Sequence, residues 1–403
     1  MASDVTAARD TSASADSARW IEALNQQAAN IMAVFARAGF EPVAPDIIQP
    51  ADVFLDLIGE ELRARTYVFT DPDGAELCLR PDLTIPAARL YQARHGDSGR
   101  PARFCYNGVI FRYQASGADN SHPREFRQAG IESYAAAEPA RAEAEVVALT
   151  LEASRAAGLR AFRLQLGDVG LVHALLAAID MPARWRSALS HQFWRPEAFR
   201  RRLARLRRPA GTIAHLPQDL LARLPAHQPE AVEEVVARYL DDKGLVVAGA
   251  RSVREVSEHL LELAEDARAP ALEQRVVDLL EAYLAIRAPA AEASERVRAL
   301  TRQHGVDIAP ALDTFDARLA LIAAEGVDIA SADFSAGFGR TFEYYSGFVF
   351  EVLAPALSAT TPIGGGGRYD RLVQAMGASR PVPAVGAALH TERLLLAVRG
   401  GQP

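Results

Sequence analysis

Cysteine and lysine are scarce in this chain of 403 residues. The two cysteines, Cys78 and Cys105, are too few for a disulfide scaffold or for a four-cysteine zinc site. We therefore expect a reducing compartment and predict a cytoplasmic protein. Lys243 is the only lysine, and the other basic residues are arginine, a bias to which we attach no functional meaning.

Long apolar runs are also missing. No stretch is apolar enough to span a membrane, and residues 1–18 lack the apolar segment of a secretory signal, so we interpret them as a disordered leader. The net charge of −7 argues against a protein whose main task is to bind a nucleic-acid backbone. The histidines show no metal-ligand spacing. The sequence thus predicts a protein that binds no membrane, no nucleic acid, no metal and no cofactor.

The chain is long enough for two or three domains of about 150 residues each, and 49% of its residues are hydrophobic. Apolar residues spaced by three and four predict a helix over residues 19–38, which Gly39 ends. Short β-forming segments follow, and the run TYVFTDPDGAELCLR predicts a β-hairpin around its Asp-Pro-Asp-Gly turn.

The predicted secondary structure changes twice along the chain. Residues 171–330 have the spacing of successive amphipathic helices, and β-forming segments return in residues 331–403. Strands that are grouped without a regular βαβ alternation indicate an α+β fold with a largely antiparallel sheet flanked by helices. We predict one core formed by residues 19–170 and 331–403, with residues 171–330 as a helical insertion domain.

Four consecutive glycines, Gly364–Gly367, invite comparison with a phosphate-binding loop. Such a loop needs Lys and Ser/Thr at the start of a helix, whereas Arg368-Tyr369-Asp370 follow here. A dinucleotide-binding GxGxxG within a βαβ unit is absent as well. The local sequence favours a simple glycine turn.

A second strand candidate carries polar residues in alternation. Phe126, Gln128, Gly130 and Glu132 are spaced by two, which puts Gln128 and Glu132 on one face of a strand. Burying both without partners is costly, so the spacing alone favours a solvated outer face.

Several segments resemble the class II aminoacyl-tRNA synthetases, in the order in which that family has them. The segment REFRQAGIE, after Arg112 and a loop, resembles motif 2, and residues 37–54 (RAGFEPVAPDIIQPADVF) resemble motif 1, which forms the dimer interface. Residues 384–396 (AVGAALHTERLLL) resemble motif 3. Within the class, LRPDLTIPAAR, GRTFEYYSGFVFE and GGGGRYD are similar to segments of histidyl-tRNA synthetase. The resemblance implies the class II fold and a dimer formed through the motif 1 region.

The resemblance also implies a pocket for histidine. Carboxylate and hydroxyl oxygens would accept from the α-ammonium, an arginine would pair with the α-carboxylate, and Glu132 would accept an imidazole N–H. The implied histidine-binding residues are Asp82, Thr84, Arg112, Gln128, Glu132, Arg340, Tyr344, Tyr345 and Tyr369.

The ATP half of the site departs from the synthetase pattern. Arg112 and Arg393 match the two phosphate-binding arginines, but Gln114 replaces a glutamate, and His390 replaces a glycine that lies close to the nucleotide. Only ten residues follow Arg393, where a histidyl-tRNA synthetase continues into its anticodon-binding domain.

A synthetase-like chain with these features resembles the regulatory subunits of ATP phosphoribosyltransferase. That resemblance implies no catalytic residues, a short-form catalytic subunit as partner in a hetero-octamer, and feedback inhibition by histidine. Two alternatives are a histidine-activating enzyme without the anticodon domain and a stand-alone histidine-binding protein.

An arginine-rich segment, residues 195–209, has two possible interpretations. It could contact RNA or an acidic partner, or it could form the solvated face of a helix, which is the interpretation we favour.

Overall fold

The described part of the chain, in a computed structural model, comprises residues 3–55, 57, 60–114, 123–207, 220, 223–224, 229–244, 254, 257–258, 260–261, 270–339, 344–358 and 361–400. The contacts divide the chain into two units. The first unit is formed by Met1–Ala174, Ala285–Ala299 and Ile308–Pro403. The second unit is formed by Leu175–Leu284 and Leu300–Asp307.

The strands, numbered along the chain, are β1 Glu41–Pro42, β2 Ile48–Pro50, β3 Val68–Thr70, β4 Glu76–Leu79, β5 Ala102–Phe111, β6 Glu125–Tyr134, β7 Arg163–Asp168, β8 Arg287–Pro289, β9 Asp333–Ser335, β10 Phe348–Leu353, β11 Gly364–Arg368 and β12 Ala384–His390. The helices are α1 Ser3–Arg37, α2 Ala51–Leu55, α3 Glu60–Arg63, α4 Thr84–His95, α5 Pro139–Ala156, α6 Val169–Ala177, α7 Ala183–Ser190, α8 Pro196–Leu206, α9 Pro229–Asp242, α10 Gln274–Ala285, α11 Ala290–Gln303, α12 Ala309–Ala324, α13 Leu372–Ala375 and α14 Thr391–Val398. Among the described residues, no helix is both long and apolar enough to cross a membrane.

A nine-stranded sheet organises the first unit, in the order β1-β5-β6-β12-β11-β10-β7-β9-β8. Its pairs are antiparallel except for β1–β5 and β7–β9, which are parallel. This confirms the predicted α+β class with a largely antiparallel sheet. A separate three-stranded sheet has the order β2-β4-β3, and its β3–β4 pair is the predicted hairpin.

The glycine run is a strand in the middle of the large sheet, so the glycine turn predicted for it is wrong. β11 pairs with both β10 and β12. A Cβ at Gly366 would overlap the carbonyl oxygen of Gly386 on β12. The absence of side chains therefore permits a close approach of neighbouring strands, a requirement that a local reading of four glycines does not reveal.

The first helix is longer than predicted. α1 spans Ser3–Arg37 and includes most of residues 1–18, for which a disordered leader was expected. Alanine is frequent there, and extending a helix that is already nucleated costs less than starting one.

The predicted insertion, residues 171–330, is too long at its C-terminal end. Residues 285–299 and 308–330 belong to the first unit. Phe315 of α12 contacts Phe334 of β9 edge to face, with ring centroids 5.3 Å apart. An amphipathic helix looks the same in sequence whichever core it covers, so periodicity could not place this boundary.

The second unit has its own apolar core, formed by Leu220, Leu224, Val232, Val236, Tyr239 and Leu260. In α8, Phe199, Leu203 and Leu206 are buried. Arg201, Arg205 and Arg207 are exposed, and Arg200 pairs with Glu197 at 2.9 Å. The described part of the arginine-rich segment, residues 195–207, thus presents arginines on the exposed side of an amphipathic helix.

Candidate functional site

Glu132 lies at the centre of the large sheet, on β6. It faces Phe104 of β5 and Gly386 of β12, and its side chain is fully buried. A Cβ at Gly386 would overlap the Glu132 carboxylate, so the glycine makes room for this side chain. Gln128, on the same strand, is also buried. The solvated outer face that spacing alone favoured for Gln128 and Glu132 is therefore wrong.

Three hydroxyl groups satisfy the Glu132 carboxylate. Thr84 and Tyr106 each donate to Oε1 at 2.8 Å, and Tyr369 donates to Oε2. A buried carboxylate needs such donors, because an unsatisfied charge in the interior is costly. The resemblance supplied Thr84 and Tyr369 but missed Tyr106, which lies on β5 next to β6.

Burial dominates the protonation of this carboxylate. It raises the pKa of Glu132 from 4.5 to about 7, although the hydroxyl groups of Tyr369, Tyr106 and Thr84 lower it. Glu132 therefore changes charge near neutral pH. A group in this state can both accept an N–H from a ligand and respond to pH.

Asp82 is the second buried carboxylate of the site. Its Oδ1 accepts the backbone N–H of Ile85 at 3.2 Å, in the first turn of α4, and its Oδ2 accepts from the Tyr344 hydroxyl at 3.4 Å. Burial raises the pKa of Asp82 to about 6, while the Ile85 N–H and the charge of Arg112 lower it. Asp82 thus joins the start of α4 to the tyrosines of the site.

Tyrosine rings line the same region. Tyr344 lies 4.8 Å from Tyr345 and 5.7 Å from Tyr369, between ring centroids, and the second contact is edge to face. Tyr345 and Tyr369 are 6.4 Å apart. The rings form a wall with hydroxyl groups on it, which suits a small ligand that carries an aromatic ring and polar groups.

Arg112 follows β5 and lies near Asp82. Its Nε donates to the carbonyl oxygen of Pro81 at 2.9 Å, and its guanidinium lies 5.2 Å from the centroid of the Phe126 ring. Burial lowers the pKa of Arg112 to about 10, and the charge of Asp82 opposes this shift. The arginine is therefore held beside a carboxylate at the edge of the tyrosine wall.

Most of the predicted site residues are brought together. Direct hydrogen bonds join Glu132 to Thr84 and Tyr369, and Asp82 to Tyr344. Tyr345 contacts the ring of Tyr344, and Arg112 interacts with the charge of Asp82. Gln128 is buried four residues from Glu132 on β6, opposite His390 of β12. Arg340 lies outside the described residues.

A cavity of about 340 Å³ adjoins the end of β12. It is lined by Pro123, Phe126, Leu357, Ser358, Thr361, His390, Glu392, Arg393 and Leu396. The His390 ring stacks on Phe126, with centroids 4.7 Å apart and planes 13° apart. Both oxygens of Glu392 accept the backbone N–H of Arg127 at 3.0 Å. His390, which stands where motif 3 has a glycine, thus covers one face of the Phe126 ring.

Metal ligation has no counterpart in the described part of the chain. No group of three or more histidine, cysteine, aspartate or glutamate side chains there is arranged to hold an ion. Both cysteines are free thiols in the interior, and burial raises the pKa of each to about 11.

Comparison with known proteins identifies the family. The model of the histidyl-tRNA synthetase family matches residues 16–271 and 257–394. An ATP phosphoribosyltransferase regulatory subunit of Brucella anthropi is 35% identical over 363 residues, which cover 89% of this chain and 93% of the relative. An ATP phosphoribosyltransferase regulatory subunit of Chelativorans sp. is 33% identical over a match that covers 93% of this chain and 98% of the relative. The chain belongs to the ATP phosphoribosyltransferase regulatory subunit family.

The shared fold extends to solved structures. A chain from Bacillus halodurans, described as an ATP phosphoribosyltransferase regulatory subunit/histidyl-tRNA synthetase, superposes with a TM-score of 0.65 at 22% identity. The match covers 94% of this chain and 80% of that one. This regulatory subunit family therefore has the class II synthetase-like fold that the motifs implied.

Tyr106 and Gly386 are the two residues of the site that sequence reasoning missed. Tyr106 lies diagonally across the β5–β6 ladder from Glu132, beside Phe104, which is the direct partner. Gly386 is the direct partner of Glu132 on the other side. The register of the strands would have found both, but it depends on pairings between segments far apart in the chain.

Proposed function

We propose that this chain is the non-catalytic regulatory subunit of a cytoplasmic ATP phosphoribosyltransferase. It would assemble with a short-form catalytic subunit, which transfers the phosphoribosyl group from phosphoribosyl pyrophosphate to ATP in the first step of histidine biosynthesis. Histidine would bind the pocket around Glu132 and inhibit the assembly. The observation that carries this proposal is a buried carboxylate, held by three hydroxyl groups, in a chain of this family.

The groups of the pocket match the groups of histidine. Glu132, when ionised, accepts an imidazole N–H, which leucine or phenylalanine cannot offer. A carboxylate offers about four acceptor positions. Thr84, Tyr106 and Tyr369 take three of them, so one remains for the imidazole N–H. Asp82 and the lone pairs of the Thr84 hydroxyl are acceptors for the α-ammonium. Arg340 is assigned to the α-carboxylate by the resemblance alone.

Inhibition requires histidine to distinguish two states of the assembly. Histidine shifts the equilibrium towards the inhibited state only if it binds that state more tightly than the active one. The regulatory chain then influences catalysis without contributing a reacting group. Catalytic activity therefore has to be measured in the complex with the catalytic subunit, while histidine affinity can be measured on this chain.

Calorimetry with histidine tests the pocket. We expect the wild-type chain to bind histidine and Glu132→Ala to bind at least about tenfold more weakly, because a charge-assisted hydrogen bond is lost. Glu125→Ala, at the exposed start of β6, is the matched control and should bind like wild type. Equal affinities of wild type and Glu132→Ala would overturn the assignment of histidine to this pocket.

An activity assay tests the regulatory role. A short-form catalytic subunit is measured with and without this chain, and with and without histidine. We expect the chain to raise the activity and histidine to abolish the increase. If the chain leaves the catalytic subunit unchanged under all four conditions and does not co-purify with it, a stand-alone histidine-binding protein is the better description.

A dimer through the motif 1 region, residues 37–54, is part of the proposed hetero-octamer. Its support is the three-stranded sheet, where Ile48 and Phe69 are 53% and 38% exposed and pair with Leu79 and Leu77 of β4, respectively. Apolar side chains concentrated on one exposed face are typical of an interface. Sedimentation of wild type and Ile48→Asp tests this: equal oligomer sizes for the two chains would contradict the proposed dimer.

A histidine-activating enzyme would use the same amino-acid pocket, and the family model named for histidyl-tRNA synthetase keeps that alternative open. Such an enzyme must also hold ATP beside Arg112 and Arg393. The His390 ring covers one face of the Phe126 ring in that region. We therefore expect no histidine-dependent exchange of pyrophosphate into ATP, and observed exchange would favour the synthetase-like alternative.

A further inference from the structure

Five charged side chains form a network in the first unit, next to the tyrosine wall. Four of them are 12% exposed or less, and the fifth, Asp370, is 30% exposed. Glu143 of α5 is fully buried and accepts from two arginines: Arg318 Nε donates to Oε2 at 2.6 Å, and Arg368 Nε donates to Oε1 at 2.7 Å. Arg318 also donates to Asp168 Oδ2 through Nη1. Arg368 donates to Asp370 Oδ1 at 2.9 Å through Nη1.

Glu143 is the shared member of this network. Each of its two oxygens accepts from a different arginine, so this one carboxylate joins Arg318 to Arg368. The side chains of Arg318 and Arg368 are 7% and 12% exposed. Buried ion pairs hold their geometry tightly, because a charge that loses its partner in the interior is left uncompensated.

One end of the network meets the pocket. The backbone N–H of Asp370 donates to Ser346 Oγ at 3.1 Å, and the N–H of Ser346 donates to the carbonyl oxygen of Arg368 at 2.9 Å. Ser346 directly follows Tyr345, and Tyr369 lies between Arg368 and Asp370. Any shift of these two tyrosines on ligand binding therefore acts on the backbone that carries Arg368.

The other end of the network meets the first turn of α6. Asp168 Oδ1 accepts the backbone N–H of Gly170 at 2.7 Å and that of Leu171 at 3.3 Å. The carboxylate thereby satisfies N–H groups at the helix start, which have no partner within the helix. The chain passes from the first unit to the second within α6, after Ala174.

We propose that Glu143 is a positioning residue that couples occupancy of the amino-acid pocket to the start of α6. A displacement of Arg368 at the pocket end is passed to Arg318 through the two oxygens of Glu143, and from Arg318 to Asp168. This inference rests on the proposed function, because it concerns how histidine binding becomes inhibition.

The test uses Glu143→Gln in the full chain, assembled with the short-form catalytic subunit. Glutamine keeps the shape of the side chain but replaces one acceptor oxygen by an NH₂ group, which cannot accept from an arginine. We expect the affinity of the isolated chain for histidine to change by less than about fivefold, which is the lower limit of typical coupling between sites. We expect saturating histidine to leave more than about half of the activity of the variant assembly, whereas it inhibits the wild-type assembly.

Asp168→Asn changes the other end of the network and should show the same separation of binding from inhibition. Arg141→Gln, on the same helix as Glu143, breaks an exposed pair with Glu138 and should be inhibited like wild type. If Glu143→Gln does not fold, Arg318→Lys keeps the positive charge without the planar guanidinium and carries the same expectation.

Full inhibition of Glu143→Gln and Asp168→Asn by saturating histidine would overturn the inference, as would a loss of inhibition that follows only from weaker binding. If the wild-type chain itself does not bind histidine, the proposed function fails. The affinity of wild type is therefore measured first, and it distinguishes the two failures.

Discussion

The hydroxyl of Tyr369 donates a hydrogen bond to Oε2 of Glu132, across 237 residues of sequence. The same carboxylate accepts from Thr84 and Tyr106 through Oε1. Hydroxyl groups from α4, β5 and the turn after β11 thus converge on one buried acid of β6. The protonation of this acid, its room in the sheet and its orientation each lead to a measurable expectation.

Tyr369→Phe should weaken histidine binding and alter its pH dependence. The Tyr369 hydroxyl lowers the pKa of Glu132, so its loss should raise that pKa above about 7. Glu132 would then be protonated over a wider pH range, and we expect the midpoint of histidine affinity against pH to move upward. A smaller fraction of Glu132 is then ionised at neutral pH, so we expect histidine to bind several-fold more weakly there. Calorimetry over a pH series measures both effects.

Tyr113→Phe is the matched control for this change, because Tyr113 is 44% exposed. It should leave both the affinity and the midpoint unchanged. An unaltered midpoint in Tyr369→Phe would show that this hydroxyl does not control the protonation of Glu132.

The stability of the ligand-free chain should fall as the pH rises towards neutrality. Burial raises the pKa of Glu132 from 4.5 to about 7, so the folded state holds the proton more tightly than the unfolded state. The resulting stabilisation is complete below the unfolded pKa and is lost as the pH rises through the folded value. Glu132→Gln removes this group, so the free energy of unfolding should depend less steeply on pH between about 5 and about 7.

Urea denaturation at a series of pH values measures this slope. Asp82, whose pKa burial raises to about 6, has the same sign and should account for part of the slope that remains. Identical slopes for wild type and Glu132→Gln would mean that Glu132 titrates in the folded chain as it does in the unfolded chain.

Gly386→Ala should disturb the site through the sheet. An added Cβ would overlap Oε2 of Glu132 and lie 2.6 Å from the carbonyl oxygen of Ile131. Backbone atoms at the centre of a sheet cannot yield cheaply, so we expect a loss of stability of about 1–3 kcal/mol together with weaker histidine binding. Chemical denaturation and calorimetry measure the two effects.

Ala388→Gly, two residues along β12, is the control for altered strand propensity. This substitution should lower the free energy of unfolding by about 0.5–1 kcal/mol and leave histidine affinity unchanged. Wild-type affinity in Gly386→Ala would indicate that the Glu132 carboxylate does not need the space beside this glycine.

Phe315→Ala should destabilise the first unit selectively. Phe315 is fully buried and contacts Phe334 edge to face, so its truncation should cost about 3–5 kcal/mol. Hydrogen exchange measured by mass spectrometry should accelerate in peptides that cover β7 and β9. Peptides that cover α8 and α9 should exchange as in wild type.

Leu203→Ala, in the buried face of α8, should produce the opposite pattern. If Phe315→Ala instead accelerates exchange in α8 and α9, then α12 is energetically part of the second unit, as the sequence had suggested.

The sequence by itself determined the composition of the elements and the order of the motifs. The alternation in β6 placed Gln128 and Glu132 on one face, and the Asp-Pro-Asp-Gly turn placed the β3–β4 hairpin, because both patterns depend on neighbours within a few residues. The motifs around Arg112, Tyr345 and Arg393 carried the resemblance that the comparisons confirmed at the level of the family.

Only the tertiary structure decided which face of β6 is buried and which hydroxyl groups donate hydrogen bonds to Glu132 on that face. The partners of Glu132 come from segments between 26 and 237 residues away, and Gly386 from a strand 254 positions further along. The same applies to α12, whose periodicity fits either core, and to the glycines of β11, whose role appears only beside β10 and β12. Local sequence sets which faces of an element are apolar, but burial depends on the non-local partners that cover them.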